Sequence, residues 1–480
     1  MSFLSLEFAA FLALGALVFQ LARGPWRRLV LLLLSYAFYL TWNPRQAVLL
    51  LGITAAVYYT ARSLEKISSA RGRLGFILPA VAGLLLVLVF FKCAGLFARY
   101  FPARRGGDAL ADIVAPIGLS YYLFKLMGYL LDVYWEKIPV QRNFVSMALY
   151  PAFFPQILSG PIQRAGDFFT QLEKIGNPRS EDIVTGLRRI LFGMFKKVVV
   201  ADHLSAMVDA VHANPAGYSP LELLFGGYCF AFQIYSDFSG VTDIAIGIGL
   251  LFGIKGPENF NMPFFARNIQ EFWRRWHISL TCWLTDYLFM PLRFSLRRFG
   301  TAGLSAAIFV TMVAVGIWHG PRMTYAVFGA LNGFYMVVSA LTLKKRNDYF
   351  QKRPLLARLR AYAGPLLTFH LMVVALILFR ANSLPSAWLY ITHIIPGFQS
   401  AGISALRFDR ALLHTRQIAL LLAGISYAAM ESVNWASRQN VWAARFDSAP
   451  WFVRWTAYYV VILIIACSAQ ETRTFIYAQF

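Results

Sequence analysis

Carboxylates are scarce in this sequence: 23 aspartates and glutamates stand against 45 lysines and arginines, and charged residues make up only 14% of the 480 positions. Soluble proteins carry about 25%, so an ordinary water-facing globular fold is excluded. Cysteine is nearly missing too. Cys93, Cys229, Cys282 and Cys467 stand singly with no Cys-x-x-Cys spacing, which argues against a disulfide framework and a zinc site and leaves free structural thiols. No period of about 20 to 50 residues repeats, and no Gly/Ser/Pro linker divides the chain, so one domain over residues 1–480 is expected. A Gly-x-Ser-x-Gly elbow is also lacking, which disfavours an enzyme-bound serine ester.

What is plentiful is apolar, at 58% of residues. The expected fold is an all-α polytopic membrane protein with roughly ten to twelve membrane segments, re-entrant and interfacial helices included, at about twenty residues per span. The formal net charge of +22 would suggest nucleic acid in a soluble chain. Here the basic residues punctuate apolar runs, so anionic membrane lipids are the expected partners and nucleic acid is not. The first run, Phe3 to Leu21, lacks a basic n-region and is followed by Arg23, Arg27 and Arg28. It is read as a retained span rather than a cleaved signal. Basic residues recur after the third run (Arg62, Lys66, Arg71, Arg73), which places the N-terminus outside the cytoplasm. The Arg99, Arg104 and Arg105 group departs from that alternation.

Several stretches depart from a plain span. Ser120, Tyr121, Tyr122 and Lys125 load a fifth span, Ile113–Val133, with polar groups that should face other helices. Pro151, Pro155, Gly160 and Pro161 crowd into Tyr150–Arg164, so Phe144–Ile162 is expected to bend or re-enter beside a cavity. In the amphipathic piece Asp182–Asp202, Arg188, Arg189, Lys196 and Lys197 alternate with apolar residues and are expected to reach cytoplasmic headgroups. Leu221–Ile254 carries Asp237 and Asp243, two carboxylates that need partners at membrane depth. Arg274 and Arg275 are candidate partners for Asp243. Asp237 could instead orient a histidine or line a substrate path.

Two histidines stand out. His319 closes Gly316-Ile-Trp-His-Gly320 at the end of the apolar run Leu304–Trp318, where an ionisable imidazole needs a reason. Flanking glycines allow a close approach, and Trp318 offers a bulky wall with one N–H. A histidine bonded to a neighbouring helix, or sitting among headgroups, is the plain alternative. His277 lies in Glu271–Tyr287, read as one amphipathic helix with apolar positions Phe272, Trp276, Leu280, Trp283 and Tyr287 and a Glu271–Arg275 pair one turn apart. Its tryptophans suit an interfacial belt, which makes structure the default for Trp273, Trp276 and Trp283. The solitary His203, His212, His370, His393 and His414 carry no partner motif and are read as structural.

Phe154-Pro-Gln-Ile-Leu-Ser-Gly-Pro161, Tyr235-Ser-Asp-Phe-Ser-Gly240 with Asp243, Glu258-Asn-Phe-Asn-Met-Pro263, Glu271-Phe-Trp-Arg-Arg-Trp-His-Ile-Ser-Leu280 and Gly316-Ile-Trp-His-Gly320 follow in that order. Phe379-Arg-Ala-Asn382 and the closing Phe475-Ile-Tyr-Ala-Gln-Phe480 come after them. Together they resemble the membrane-bound O-acyltransferase superfamily, in particular its bacterial alginate O-acetylation branch. The resemblance implies a helical ring around a funnel or tunnel, with His319 as the catalytic histidine and His277 as the second. It implies a multi-pass protein of the bacterial inner membrane that moves an acetyl group from a cytoplasmic thioester, acetyl-CoA or another, to an exopolysaccharide or a periplasmic acetyltransferase partner. No tightly bound cofactor or metal is expected. Trp318, Asp237, Trp276, Gln233 and Asn261 are the substrate-binding candidates within these motifs.

The chemistry asks for a base and for donors to a developing oxyanion. A histidine in a dry pocket rests neutral and can accept the acceptor hydroxyl's proton; that role falls to His319, directly or through an acyl-histidine. Two rivals remain at this point: D-alanyl transfer to teichoic acid, and a transporter or flippase carrying an acyl or polysaccharide intermediate, although transporters often show repeated halves.

Overall fold

The computed structural model describes residues 1–100, 115–395, 417–438 and 440–469. Arg104, Arg105, His414 and Phe475–Phe480 lie outside the described residues. Every regular element among the described residues is helical. The chain is an all-α polytopic membrane protein. Among the described residues, seven helices are long and apolar enough to cross a bilayer: Pro44–Leu64, Ala70–Ala94, Pro220–Leu251, Arg297–His319, Met323–Gln351, Pro354–Arg380 and Trp451–Ser468. Leu6–Leu21 and Phe144–Ile157 are apolar but shorter. The expected ten to twelve segments counted such short and bent pieces.

Internal contacts group the chain into two compact units, Met1–Phe192 with Val241–Glu258, and Gly193–Gly240 with Asn259–Phe480. In the first unit the sequence starts its helices with side-chain caps: Ser5 accepts from Phe8 N, and Asn43 from Arg45 N just before Pro44. The proline-rich stretch folds as two short helices, Phe144–Ala152 and Phe154–Ile157. Side chains satisfy the backbone that the bend frees. Ser35 Oγ accepts from Phe154 N at 3.2 Å, and Lys125 Nζ donates to Tyr150 O at 3.1 Å and to Gln156 Oε1 at 2.7 Å. Protein therefore buries this broken backbone, as hydrocarbon demands. The phenylalanines Phe8, Phe38 and Phe154 meet at 5.7 to 6.4 Å to form the unit's aromatic core.

Asp243 finds a partner in this unit, though not the one expected. Arg189 Nε donates to its Oδ1 at 2.9 Å and Nη1 to Glu258 Oε1 at 2.6 Å, so Arg189 is drawn inward rather than to headgroups. In the second unit Lys196 and Lys197 are buried as well. The π-helix Phe195–Ala201 follows directly on the Ser180–Met194 α-helix. Its wider turn changes which residues share a face, so spacing drawn on an α-helix misplaces these lysines. Lys197 Nζ donates to Asp237 Oδ1 at 2.7 Å, with both side chains only 1% exposed. Asp237 thus sits in a buried ion pair, with Asp202 on the same ammonium at 2.9 Å.

Candidate active site

Glu271 to Tyr287 is not one helix. Asn268 caps a short helix, Ile269–Arg275, and the expected Glu271–Arg275 pair closes at 2.6 Å. The chain then breaks, and His277 takes a left-handed conformation, φ 43° and ψ 53°, before a second helix runs Ile278–Leu284. The upstream segment imposes the break. Ile278 N donates to Asn259 O at 2.9 Å and Asn261 N to Arg275 O at 2.8 Å, so residues 259–261 clamp the kink from one side. Left-handed backbone is uncommon outside glycine and tends to mark sites where surrounding structure holds a residue in place.

Asn259, fully buried, completes that hold. Its Oδ1 accepts from Ser279 N at 3.2 Å and Ser279 Oγ at 2.8 Å, and lies 3.1 Å from His277 Nδ1. The backbone N–H of Ser279 can only donate, which fixes the amide with its oxygen toward this cluster. An oxygen there makes Nδ1 the protonated nitrogen of His277 and leaves Nε2 as the basic one. Burial pushes the imidazole's pKa down from 6.5 to about 3, so it stays neutral. Phe238 meets the ring edge-on at 4.7 Å.

His319 arrives differently, as the last residue of the straight helix Gly300–His319. Two glycines set its position. Gly316 lets the helix press on Met323–Gln351, since a Cβ there would fall 2.2 Å from Tyr325 O. Gly320 ends the helix at φ 151° and ψ 177°, a conformation open essentially to glycine alone. The ring, 6% exposed by residue, packs edge-on to Phe379 at 4.8 Å and tilted against Trp318 at 4.6 Å.

Both histidines line one cavity in the second unit. Trp273, Trp276, Phe272, Phe328 and Phe379 supply aromatic walls, and Leu280, Met372 and Leu376 are among the aliphatic ones. Among the described residues, the two imidazoles are the only ionisable side chains on the lining. The space is narrow. Traced by the centre of a water molecule it measures about 20 Å³, room for one or two small groups.

Of the residues the motifs singled out, His319, His277 and Trp276 meet at this cavity. Trp318 tilts against His319 without lining the cavity. Gln233 is buried one residue before Ile234, which does line it. Asp237 is engaged by Lys197, and Asn261 is exposed, its backbone serving the clamp. Two residues went unpicked, Asn259 and Trp273. Asn259 shares its motif with Asn261, and only the clamp's backbone pairing separates them. Among the remaining histidines, the Nδ1 atoms of His203, His212 and His370 lie 3.1, 2.9 and 2.7 Å from carbonyls of the preceding helical turn.

Comparison with known proteins fits this arrangement. Residues 136–375 match the model of the membrane-bound O-acyltransferase (MBOAT) family. The chain is 33% identical over 405 residues to the Pseudomonas aeruginosa protein named "Probable alginate O-acetylase", covering 80% of this chain and 72% of that one. It is 32% identical over 416 residues to the peptidoglycan O-acetyltransferase of Helicobacter pylori, covering 79% and 76%. The teichoic acid D-alanyltransferase of Bacillus subtilis is 29% identical over 240 residues, 47% of this chain and 59% of that protein. Two histidines on one apolar cavity, a many-helix membrane fold and relatives of this extent lead to one assignment: the chain belongs to the membrane-bound O-acyltransferase family and is a multi-pass membrane O-acyltransferase.

Proposed function

We propose that this protein transfers an acetyl group from a cytoplasmic thioester, acetyl-CoA or a similar donor, toward O-acetylation of an exopolysaccharide at the bacterial inner membrane. A periplasmic acetyltransferase is the alternative recipient. The observation that carries the reading is the convergence of His277 and His319, from separate elements, on one narrow apolar cavity. His319 acts as the base. It takes the proton of the acceptor hydroxyl as that oxygen attacks the thioester carbonyl; the C–O bond forms, the C–S bond breaks, and the proton passes to the leaving thiolate. His277, held neutral by burial, is a second polar group on the lining.

The teichoic acid D-alanyltransferase relative favours a second reading, D-alanyl transfer. That substrate carries an ammonium, and among the described residues the lining holds no carboxylate to pair with it, which favours acetyl transfer. Purified protein given radiolabelled acetyl-CoA with an exopolysaccharide or a periplasmic acceptor protein tests the proposal. Label on the acceptor supports it. In liposomes, label that crosses unchanged would make the protein a carrier instead.

A further inference from the structure

We propose that the indole N–H of Trp273 is the hydrogen-bond donor that holds the acyl carbonyl oxygen during transfer, an inference that rests on reading the cavity as the site of acyl transfer. Trp273 lines the cavity beside both histidines and is buried. Its Nε1, also buried, has no hydrogen-bond partner among the described residues. A buried N–H without an acceptor costs free energy, and native proteins keep few of them without a reason. A carbonyl oxygen entering the cavity supplies the missing acceptor.

Trp273 is the indole on the lining, since Trp318 lies beside His319 without lining the cavity; the polar groups around His277 and Gln233 are committed or of the wrong sense. His277 Nδ1 faces Asn259 Oδ1, and Ser279 Oγ donates to that same oxygen. The unmet atom of Gln233 is its Oε1, an acceptor that cannot stabilise an oxyanion. Trp273 also stands on a fixed platform. Its helix is capped by Asn268 and tied by the Glu271–Arg275 pair, and Glu271 Oε2 accepts from Arg267 N at 2.8 Å. A donor held in place before the reaction loses little by reorganising during it.

In the step itself, the acceptor oxygen bonds to the thioester carbon and electron density moves to the carbonyl oxygen, where the Trp273 hydrogen bond shortens. When the C–S bond breaks, the carbonyl re-forms and the bond relaxes. The indole gives up no proton; that traffic belongs to His319 and the thiolate.

The test uses the full chain in detergent, with acetyl-CoA and its dithioester analogue, in which C=S replaces C=O and accepts hydrogen bonds poorly. Trp273→Phe is expected to lower kcat by about 10²-fold, the loss of one oxyanion donor, with KM nearly unchanged. It should also erase most of the wild-type preference for the thioester over the dithioester. Should the Phe variant fold poorly, 3-benzothienylalanine in place of Trp273 keeps the ring's shape without the N–H and should behave the same way. Wild-type kcat with an undiminished preference in either variant overturns the Trp273 assignment alone. A wild-type protein that transfers no acetyl under any condition overturns the acyl-transfer reading and this inference with it.

Discussion

The two histidines reach one cavity by opposite means. His319 rides a regular helix, and its place depends on glycine contacts along that helix. His277 sits at a break held by a separate strand of chain, with left-handed backbone and an asparagine fixing its tautomer. One position is secured by a repeating structure, the other by a few hydrogen bonds. The comparison teaches where each is vulnerable: His319 to packing, His277 to loss of a clamp.

Substitutions can break that contrast. The largest effect is expected from His319→Ala, which should abolish transfer, a loss near 10⁴-fold at the top of the range of about 10²- to 10⁴-fold for a positioned base, with normal abundance in the membrane. Full activity would remove His319 from the chemistry. His277→Ala should lose most activity but leave a measurable remainder in the same assay; a variant that simply misfolds would make His277 structural. Next comes Gly316→Ala. Its new methyl would meet Tyr325 O and cost about 1–3 kcal/mol by overpacking, visible as a lowered melting midpoint in detergent together with weaker transfer. A similar midpoint without change in transfer would show that the helix contact does not set His319.

Smaller effects sharpen the other half. Asn259→Ala leaves Ser279 N–H and the His277 ring without their shared acceptor. It should cost about 1–3 kcal/mol of stability and reduce kcat, while Asn259→Asp keeps an oxygen there and retains more of both. The smallest effect is a pH slope. With His277 titrating near 3 in the fold and near 6.5 when unfolded, the unfolded chain binds more protons across that window. Stability therefore falls as pH drops from 6.5 toward 3. His277→Gln should flatten that part of the melting-midpoint profile, and an unchanged slope would assign it to other groups.

What the sequence revealed, and what it hid, divides along the same line. The apolar run Leu304–Trp318 and the glycines around His319 announce a helix and its end, and Gly300–His319 follows. The prolines of residues 150–162 announce a bend, and two short helices appear. The helical period of Glu271–Tyr287 misled, because local spacing continues through a point where pairing with residues 259–261 wins. Lys196 and Lys197 look like headgroup contacts on an ideal helix, and a π-turn that no periodicity forecasts buries them. Trp273 was one aromatic among several until the cavity gave it a neighbour. Signals local to the chain were legible; those created by distant backbone were not.

The Lys197–Asp237 pair carries a consequence for how the protein is made. An ammonium and a carboxylate are each costly in hydrocarbon when alone, and here they lie forty positions apart in the chain, a separation of 40. Each charge burdens its own segment until the other arrives, so the lysine turn and the helix that opens at Pro220 should settle in the membrane together. Nascent chains halted before residue 237 should slip back toward water, and chains halted well past it should stay.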